Sequence, residues 1–279
     1  MRSTKKWFWL VIGLFAVAAM IIFTTCFQMV GAAFLQSNQV QSFQQNLKHI
    51  SKRQSKHLIA EVKKANQTLS ASPDTANQPL TANQKRRAAL LAHYDIGQKQ
   101  AKQIIGVLRI PKLELLLPIF NGVSSDVLAH GIGLLPNSSY PVSGKGVHTV
   151  LTGHRGLPNA ELFAHLNRLK KGDVFYVEGI ERPLRYRVDC IRVVKPDDVA
   201  SLAINTESNY TTLMTCTPYL INSHRLLVRG RLDPNQQHLQ AASIAAPIAR
   251  PLMKAIFLMG VIGLGVYQIN RYNRKHIER

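Results

Sequence analysis

Residues 184–194, LRYRVDCIRVV, decide the fold class. Leu184, Tyr186, Val188 and Cys190 recur at every second position, so the spacing predicts a β-strand with these four side chains on one face. Six more short runs of this kind surround it: GVLRIP at 106–111, LLLPI at 115–119, HTVLT at 148–152, DVFYV at 173–177, YTTLMT at 210–215 and RLLVRGRL at 225–232. Together they predict a mainly-β fold, a closed barrel of about eight strands with short helices.

The chain before the strands has a different composition. Residues 36–100 are rich in Gln, Asn, Ser and Lys, and apolar residues spaced by three or four predict a helix near 40–50. Residues 65–82 hold two prolines and few large apolar side chains, which predicts a loop. Within the strand-rich part, residues 161–169 show the apolar spacing of a short helix.

The N-terminal apolar stretch is long enough to span a bilayer. Residues 7–34 carry no charge, and about 20 apolar residues suffice for a membrane-spanning helix. Arg2, Lys5 and Lys6 precede the stretch, which predicts a cytoplasmic N-terminus. The alternative is a cleaved signal peptide, for which the stretch is long and its Gly-Ala-Ala at 31–33 is a weak cleavage site.

A second apolar segment, residues 251–269, is followed by a basic tail. Lys254 lies near the start of this segment, where a lysine can reach the headgroups. The alternative is a buried amphipathic helix, because the uncharged part at 255–267 has only 13 residues. Two spans with both termini in the cytoplasm place the middle of the chain outside the cell.

These patterns predict a division of the chain into seven parts. They are a cytoplasmic N-terminus at 1–6, a membrane anchor at 7–34, a helical extension with a loop at 35–103, a β-barrel at 104–233, a tether at 234–250, a second membrane segment at 251–269 and a basic cytoplasmic tail at 270–279.

The charge balance narrows the class of partner. Lysine and arginine total 35 against 15 acidic residues, a formal net charge of +20. Such a surface suits anionic wall polymers or phospholipid headgroups, and a simply solvated surface is the equal alternative. A nucleic-acid binder would need aromatic residues interleaved with the basic ones on exposed strands, and we identify no such module. Three cysteines are too few for a disulfide scaffold, and no Cys/His cluster has the spacing of metal ligands.

Three residues carry the candidate chemistry. Cys216 ends the strand TLMTC, at a barrel rim where nearby cations can favour its thiolate, a strong nucleophile. His154 stands between glycines in LTGHRG, on a turn that exposes an imidazole able to act as acid or base. Arg225 begins the strand after the Cys216 loop, so a hairpin brings its guanidinium to the same rim, where it can stabilise an oxyanion.

Each of these residues also has a structural interpretation. A cysteine is more often a buried, inert side chain than a nucleophile, and Cys190, on the apolar face of its strand, fits that interpretation. Cys26 lies in the N-terminal apolar stretch and is inert by the same reasoning. His148 is the nearest competitor of His154, and Arg225 alone would be taken for one surface arginine among 35 basic residues.

In combination the motifs resemble the sortases, the cysteine transpeptidases of Gram-positive cell surfaces. The resemblance covers residues 104–232, and the order His, Cys, Arg and the 62-residue gap from His154 to Cys216 fit it. It rests on three motifs: TVLTGHRG at 149–156, TLMTC at 212–216 and HRLLVRG at 224–230. The class C, pilin-polymerising subgroup is the most similar. Its features here are LFAHLNRLKKGD at 162–173, the nine-residue stretch TPYLINSHR at 217–225 and the C-terminal membrane segment.

The resemblance implies a reaction, its partners and roles for four residues. Cys216 attacks the Thr–Gly bond of an LPxTG-like sorting signal to form a thioacyl enzyme, His154 protonates the leaving amine and deprotonates the incoming one, and Arg225 stabilises the oxyanion. Thr215 matches a position that helps to place the substrate. The acceptor is a pilin lysine in class C and a peptidoglycan precursor's amine in housekeeping sortases. No cofactor is implied.

The resemblance has one departure, in the lid. Class C sortases carry a loop before the barrel in which an Asp-Pro-aromatic triad covers the cysteine. The nearest match here is Gln78-Pro79-Leu80, which lacks both the carboxylate and the ring, and Pro73-Asp74 offers a carboxylate in the reverse order. We therefore expect a lid that is held weakly or anchored differently.

Three alternatives to a pilin-joining enzyme stay open at this point, and the first is a housekeeping sortase that attaches surface proteins to peptidoglycan. A non-catalytic, membrane-tethered surface-binding protein would keep the barrel without turnover, although the presence of all three candidate residues argues against it. Hydrolysis competes with transpeptidation, because water and an amine attack the same thioester.

Overall fold

A computed structural model describes residues 2–70, 104–156, 161–198, 200–234 and nine scattered residues between 253 and 268. The chain forms two units, Met1–Phe34 with Ala245–Arg279, and Leu35–Ile244. Helix α1, Arg2–His49, begins in the first unit. By length and composition, its part Val17–His49 could cross a membrane. Most of the predicted second membrane segment lies outside the described residues.

Two helices open the second unit. The predicted helix near 40–50 is present as the end of α1, and α2, Lys52–Ser70, follows it. The prediction of a loop from residue 65 is wrong for 65–70, which are helical because Asn66 and Leu69 are buried. The remainder of that predicted loop, including Gln78-Pro79-Leu80, lies outside the described residues.

The predicted closed barrel of eight strands is confirmed. Its strands are β1 Ile104–Ile110, β2 Leu115–Asn121, β3 Ile132–Leu134, β4 Val147–Thr152, β5 Val174–Glu178, β6 Leu184–Val194, β7 Asn209–Thr217 and β8 His224–Leu232. They close in the order β1-β2-β3-β4-β7-β8-β6-β5, with β2–β3 and β4–β7 parallel and the other described pairs antiparallel. One short helix, α3, Ser125–His130, precedes β3.

The barrel has an upper rim and a lower end. The upper rim is the end at which β4 and β7 finish and β8 begins; the lower end is the end at which β4 and β7 begin. Between them the barrel is filled by apolar side chains from alternate positions of the strands, among them Leu108, Ile119, Leu151, Phe175, Tyr186, Leu213 and Val228. The period of two in the sequence therefore marks the buried face.

Two local predictions are wrong. Residues 161–169 do not form a regular α-helix: they form turns with a short 3₁₀ segment, Leu166–Arg168, although Leu162, Phe163 and Leu166 are buried as expected. Cys190 does not share the buried face of β6, because a bulge between Val188 and Cys190 shifts the register against β8 and leaves Cys190 half-buried beside Arg229.

The lower end is held by buried polar side chains. Asn66 of α2 bonds the backbone of Tyr140 twice, donating to its carbonyl and accepting from its N–H, both at 3.0 Å. Asn209 donates to the carbonyls of Val142 and Gly144, each at 2.8 Å, and accepts from the Tyr186 hydroxyl at 3.1 Å. Since these amides are buried and their groups are paired, they tie helix, loop and strand into one layer.

Candidate active site

Cys216 and Arg225 are direct partners across β7 and β8. The antiparallel register pairs them residue for residue, one position before the hairpin ends at Thr217 and His224. Directly opposed residues of such a pair lie on one face, with Cβ atoms about 4.5–5.5 Å apart. Both side chains are half-buried at the upper rim, so a thiol and a guanidinium can approach one reacting group there.

The His154 loop is tied to the strand that carries Cys216. Gly153 continues the parallel ladder by donating its N–H to the Met214 carbonyl at 3.1 Å. The Thr215 hydroxyl donates to the Gly153 carbonyl at 2.8 Å. Gly153 precedes His154 and Thr215 precedes Cys216. The bond between them therefore holds the half-buried imidazole at the same rim as the thiol.

Glycine is required at position 153 by packing. A Cβ there would lie 2.9 Å from side-chain carbons of Ile132 and of Phe163, closer than real Cβ contacts. The turn at His154 is thus a site where backbone approaches the core closely. A larger residue at 153 would therefore displace the histidine loop or the two side chains against which it packs.

Arg155 is a second link between the two loops, which sequence reasoning did not identify. Its Nη1 donates to the Thr217 hydroxyl at 2.9 Å and its Nε donates to the Ala164 carbonyl at 3.4 Å. The Arg155 side chain therefore links the histidine loop to Thr217, the residue after Cys216, and to Ala164 farther along the chain. The only signal in the sequence is its place in the GHRG motif.

The Arg225 guanidinium is oriented by its own hairpin. Its Nη1 donates to the carbonyls of Asn222 and His224, each at 3.1 Å. These bonds fix the plane of the guanidinium, since its donors form a rigid fork. A preoriented cation beside a thiol is an arrangement that can stabilise developing negative charge.

Thr215 and His148 lie away from the open surface. Thr215 is 1% exposed, and its hydroxyl is bonded to Gly153, so its contact is with the histidine loop. His148 is buried on the outer face of β4: a ring nitrogen, Nδ1, bonds the Ala203 carbonyl at 2.8 Å and Nε2 bonds the Thr212 hydroxyl at 2.8 Å. Burial lowers the pKa of His148, helped by the Arg229 cation and opposed by the Ala203 bond.

These contacts give the chemistry that the upper rim can perform. It carries a half-buried thiol, an imidazole on a loop tied to the same strand and a cation on the partner strand, which are the components of nucleophilic acyl transfer through cysteine. His148 has both ring nitrogens bonded and its ring buried, so it is a structural histidine and not a candidate acid or base. Cys190 lies on the outer wall, below the rim.

Comparison with known proteins agrees with this class. A sortase-domain family model matches residues 108–233. The structure of sortase C1 from Streptococcus agalactiae is 37% identical with a TM-score of 0.64, covering 70% of this chain and 98% of that one. The pilus-related sortase C of Group B Streptococcus is 36% identical with a TM-score of 0.61, covering 72% and 100%. Sortase D of Bacillus subtilis is 29% identical over 157 residues, 56% of this chain and 76% of its own.

The chain therefore belongs to the sortase family. Sortases are cysteine transpeptidases, and the fold, an eight-stranded closed barrel, is the fold of the class C structures to which it is similar.

Proposed function

We propose that this protein is a membrane-anchored sortase of the class C type, which joins pilin subunits. The observation that carries the proposal is the pairing of Cys216 with Arg225 at the upper rim, beside the tied His154 loop. Support for the class comes from the similarity to a sortase described as pilus-related. Cys216, His154 and Arg225 are the proposed catalytic residues.

The first half of the reaction cleaves the sorting signal. The Cys216 thiolate attacks the carbonyl carbon of threonine in an LPxTG-like signal, and the carbonyl oxygen becomes an oxyanion. Arg225 donates hydrogen bonds to this oxyanion. His154, as the imidazolium, gives its proton to the glycine nitrogen, the C–N bond breaks, and the threonine remains on sulfur as a thioester.

The second half transfers the acyl group. A lysine amine of a pilin subunit attacks the thioester carbonyl, and His154, now neutral, takes the proton that the amine loses. The tetrahedral intermediate collapses, an amide forms and the Cys216 thiolate leaves. Water can attack the same thioester, so hydrolysis is the competing outcome.

Thr215 acts in this mechanism through the histidine loop. Its buried hydroxyl bonds the Gly153 carbonyl and so ties the backbone of the His154 loop to the strand that carries Cys216. We propose that Thr215 helps to place the substrate indirectly, by positioning the loop against which the sorting signal lies.

The acceptor is tested by product analysis. The full chain in detergent micelles is given an LPxTG-like peptide together with a pilin domain or a peptidoglycan-precursor amine. We expect the pilin adduct, and none with Cys216→Ala. Predominant coupling to the precursor would indicate a housekeeping sortase, the cleaved peptide ending in a free threonine carboxylate would indicate hydrolysis, and no product at all would leave the non-catalytic surface-binding protein.

We also propose an anchor and a topology. The uncharged residues 7–34 span the membrane, residues 251–269 span it again, both termini are cytoplasmic and the barrel is extracellular. The support is the length of the apolar helix and the basic flanks. Protease added to protoplasts should remove the middle of the chain and spare tags at both ends. Loss of the C-terminal tag would mean a single span, and loss of the N-terminal one a cleaved signal peptide.

A further inference from the structure

The turn that carries His154 is bound at four consecutive residues, 153–156. Gly153 donates its N–H to the Met214 carbonyl at 3.1 Å and accepts from the Thr215 hydroxyl at 2.8 Å. The carbonyl of His154 itself accepts from the Phe163 N–H at 3.2 Å. The next two residues of the turn are in contact with the hairpin of β7 and β8, and these two contacts have no part in the mechanism proposed above.

The first of these contacts is made by the half-buried side chain of Arg155. Its Nη1 donates to the Thr217 hydroxyl at 2.9 Å and its Nε donates to the Ala164 carbonyl at 3.4 Å. Both acceptors are uncharged, so the bonds fix geometry and do not neutralise an acid. A planar guanidinium can hold two acceptors at a set spacing, which a single flexible ammonium does poorly.

The Thr217 end of this contact belongs to the strand ends that carry the other two candidate residues. Thr217 follows Cys216 and pairs with His224 across β7 and β8. The His224 carbonyl accepts from Arg225 at 3.1 Å. Arg155 therefore joins the histidine turn to the place where the thiol and the second guanidinium are held.

The second contact is made by the Tyr219 ring. A Cβ at Gly156 would lie 2.6 Å from this ring, so the ring rests directly on the backbone of the turn. Gly156 has φ of 96°, a conformation that favours glycine, and no side chain stands between ring and backbone. Tyr219 is 50% exposed, so its ring lies over the turn at the surface and does not fill the barrel core.

We infer that Arg155 and Tyr219 are positioning residues, which hold the His154 imidazole where it exchanges protons with the substrate amines. A general acid must lie within hydrogen-bond reach of the group it protonates, and a misplacement of about 1 Å can cost about a hundredfold in rate. The inference rests on the proposed function, because it takes His154 for the acid and base. It adds that the hairpin of the nucleophile also places the imidazole.

The first test separates kcat from KM. In detergent micelles, with a fluorogenic sorting peptide, Arg155→Met in the full chain should lower kcat by about tenfold, as expected for a lost hydrogen bond, and change KM by less than about twofold. Arg155→Lys, which can restore one of the two bonds, should recover part of the loss. The matched control is Arg168→Met, at an exposed arginine of the segment Leu166–Arg168, and it should keep full turnover. A loss in KM alone would overturn the inference.

The ring is tested in the same assay. Tyr219→Ala should lower kcat by about threefold, because the turn loses the surface that covers it. Tyr219→Phe keeps the ring and should restore the turnover that Tyr219→Ala loses. Equal losses in the two variants would show that the hydroxyl acts, which contradicts a positioning role for the ring.

A double substitution asks whether Arg155 acts through the imidazole. In a chain with His154→Ala, Arg155→Met should lower the residual turnover no further, because residues that act as a unit are not additive. A second tenfold loss in that chain would mean that Arg155 acts on the substrate or on the fold, and would overturn the inference.

A cross-link measures the position of the turn without any turnover. A chain with Cys26→Ser, Cys190→Ser and His154→Cys keeps Cys216 and one introduced thiol, which diamide can join only when their Cα atoms come within about 7 Å. Adding Arg155→Met should slow formation of this disulfide by about fivefold, and adding Arg168→Met should not. Equal rates in all three chains, or no disulfide in any, would overturn the inference. A slowed disulfide together with an unsubstituted chain that turns over no sorting peptide would contradict the proposed function alone.

Discussion

The upper rim and the lower end of the barrel are built in opposite ways. At the lower end, Asn66 and Asn209 are buried and every bond they make is to backbone or to another buried group. At the upper rim, Cys216, His154 and Arg225 are half-buried. The bond between Thr215 and Gly153, which are adjacent to Cys216 and His154, and the bond from Arg225 to the Asn222 carbonyl hold them in place. The comparison shows that fully paired buried amides lie at one end and the proposed catalytic residues at the other.

This separation has a physical reason. A paired amide in a dry layer fixes the elements it joins, and losing a partner there leaves an unsatisfied group. A nucleophile and a general acid must instead reach solvent and substrate, so they cannot be buried in the same way. The predictions below test whether the two ends can be damaged independently.

The largest effect should come from the thiol at the rim. We expect Cys216→Ala to lower turnover by at least about a thousandfold, since no other group can form the thioester. Unfolding temperature should change little. Cys190→Ala, on the outer wall, is the matched control and should keep most of the activity. A dead but folded Cys190 variant would reverse the assignment of the nucleophile.

Arg225→Lys should have the next largest effect. Lysine keeps the charge but not the fork that Asn222 and His224 orient, so we expect kcat/KM to fall by about a hundredfold. Arg231→Lys, an exposed arginine farther along the same strand, should leave it nearly unchanged. Steady-state cleavage of a fluorogenic sorting peptide measures both, and similar losses in the two variants would argue against an oxyanion role.

At the lower end, Asn209→Ala should cost stability and leave the chemistry intact. It removes the partner of two carbonyls and a hydroxyl in a buried layer, which should lower the free energy of unfolding by about 3 kcal/mol. The exposed Asn205→Ala is the control. Urea unfolding of the full chain in micelles gives the first quantity and peptide turnover in the cold gives the second. A loss of turnover as large as at the rim would mean that the ends are coupled.

The smallest effect concerns His148, which lies near the lower end at the start of β4. Its lowered pKa means that, below the ordinary value of about 6.5, the unfolded chain binds a proton that the folded chain does not. Stability should therefore fall as the pH drops below that value, by roughly 1 kcal/mol per pH unit until the folded pKa is reached. His148→Gln should flatten this slope in unfolding curves at pH 5.5 and 7.5. Parallel slopes would show that another group controls acid stability.

Much of the barrel could be predicted from the sequence because apolar and polar residues alternate along its strands. The period of two marks the core face in Leu184, Tyr186 and Val188 of β6 and in Leu226 and Val228 of β8. The three-residue strand Ile132–Leu134 is too short to show any period. Cys190 was assigned to the wrong face because a bulge adds one residue to the register, and residues 65–70 were assigned to a loop because long-range contacts of Asn66 override their composition.

The candidate site was likewise only partly predictable from the sequence. Cys216, His154 and Arg225 could be selected because strand ends and hairpins bring them to one rim. The links that hold them could not, because Thr215 to Gly153 and Arg155 to Thr217 each span about sixty residues of chain. Nothing in local composition indicates such contacts.

The parallel pairing of β4 and β7 has a consequence for how the enzyme comes into being. Parallel neighbours need a crossing connection, and here β5 and β6 lie between them in the chain. Contacts so distant in sequence form late, after closer pairs have ordered the intervening segments. The strand ends that carry Cys216 and His154 therefore come together only when the barrel closes, and a chain still folding holds the proposed nucleophile apart from its proposed base. On the proposed mechanism, catalytic competence reports the completion of folding.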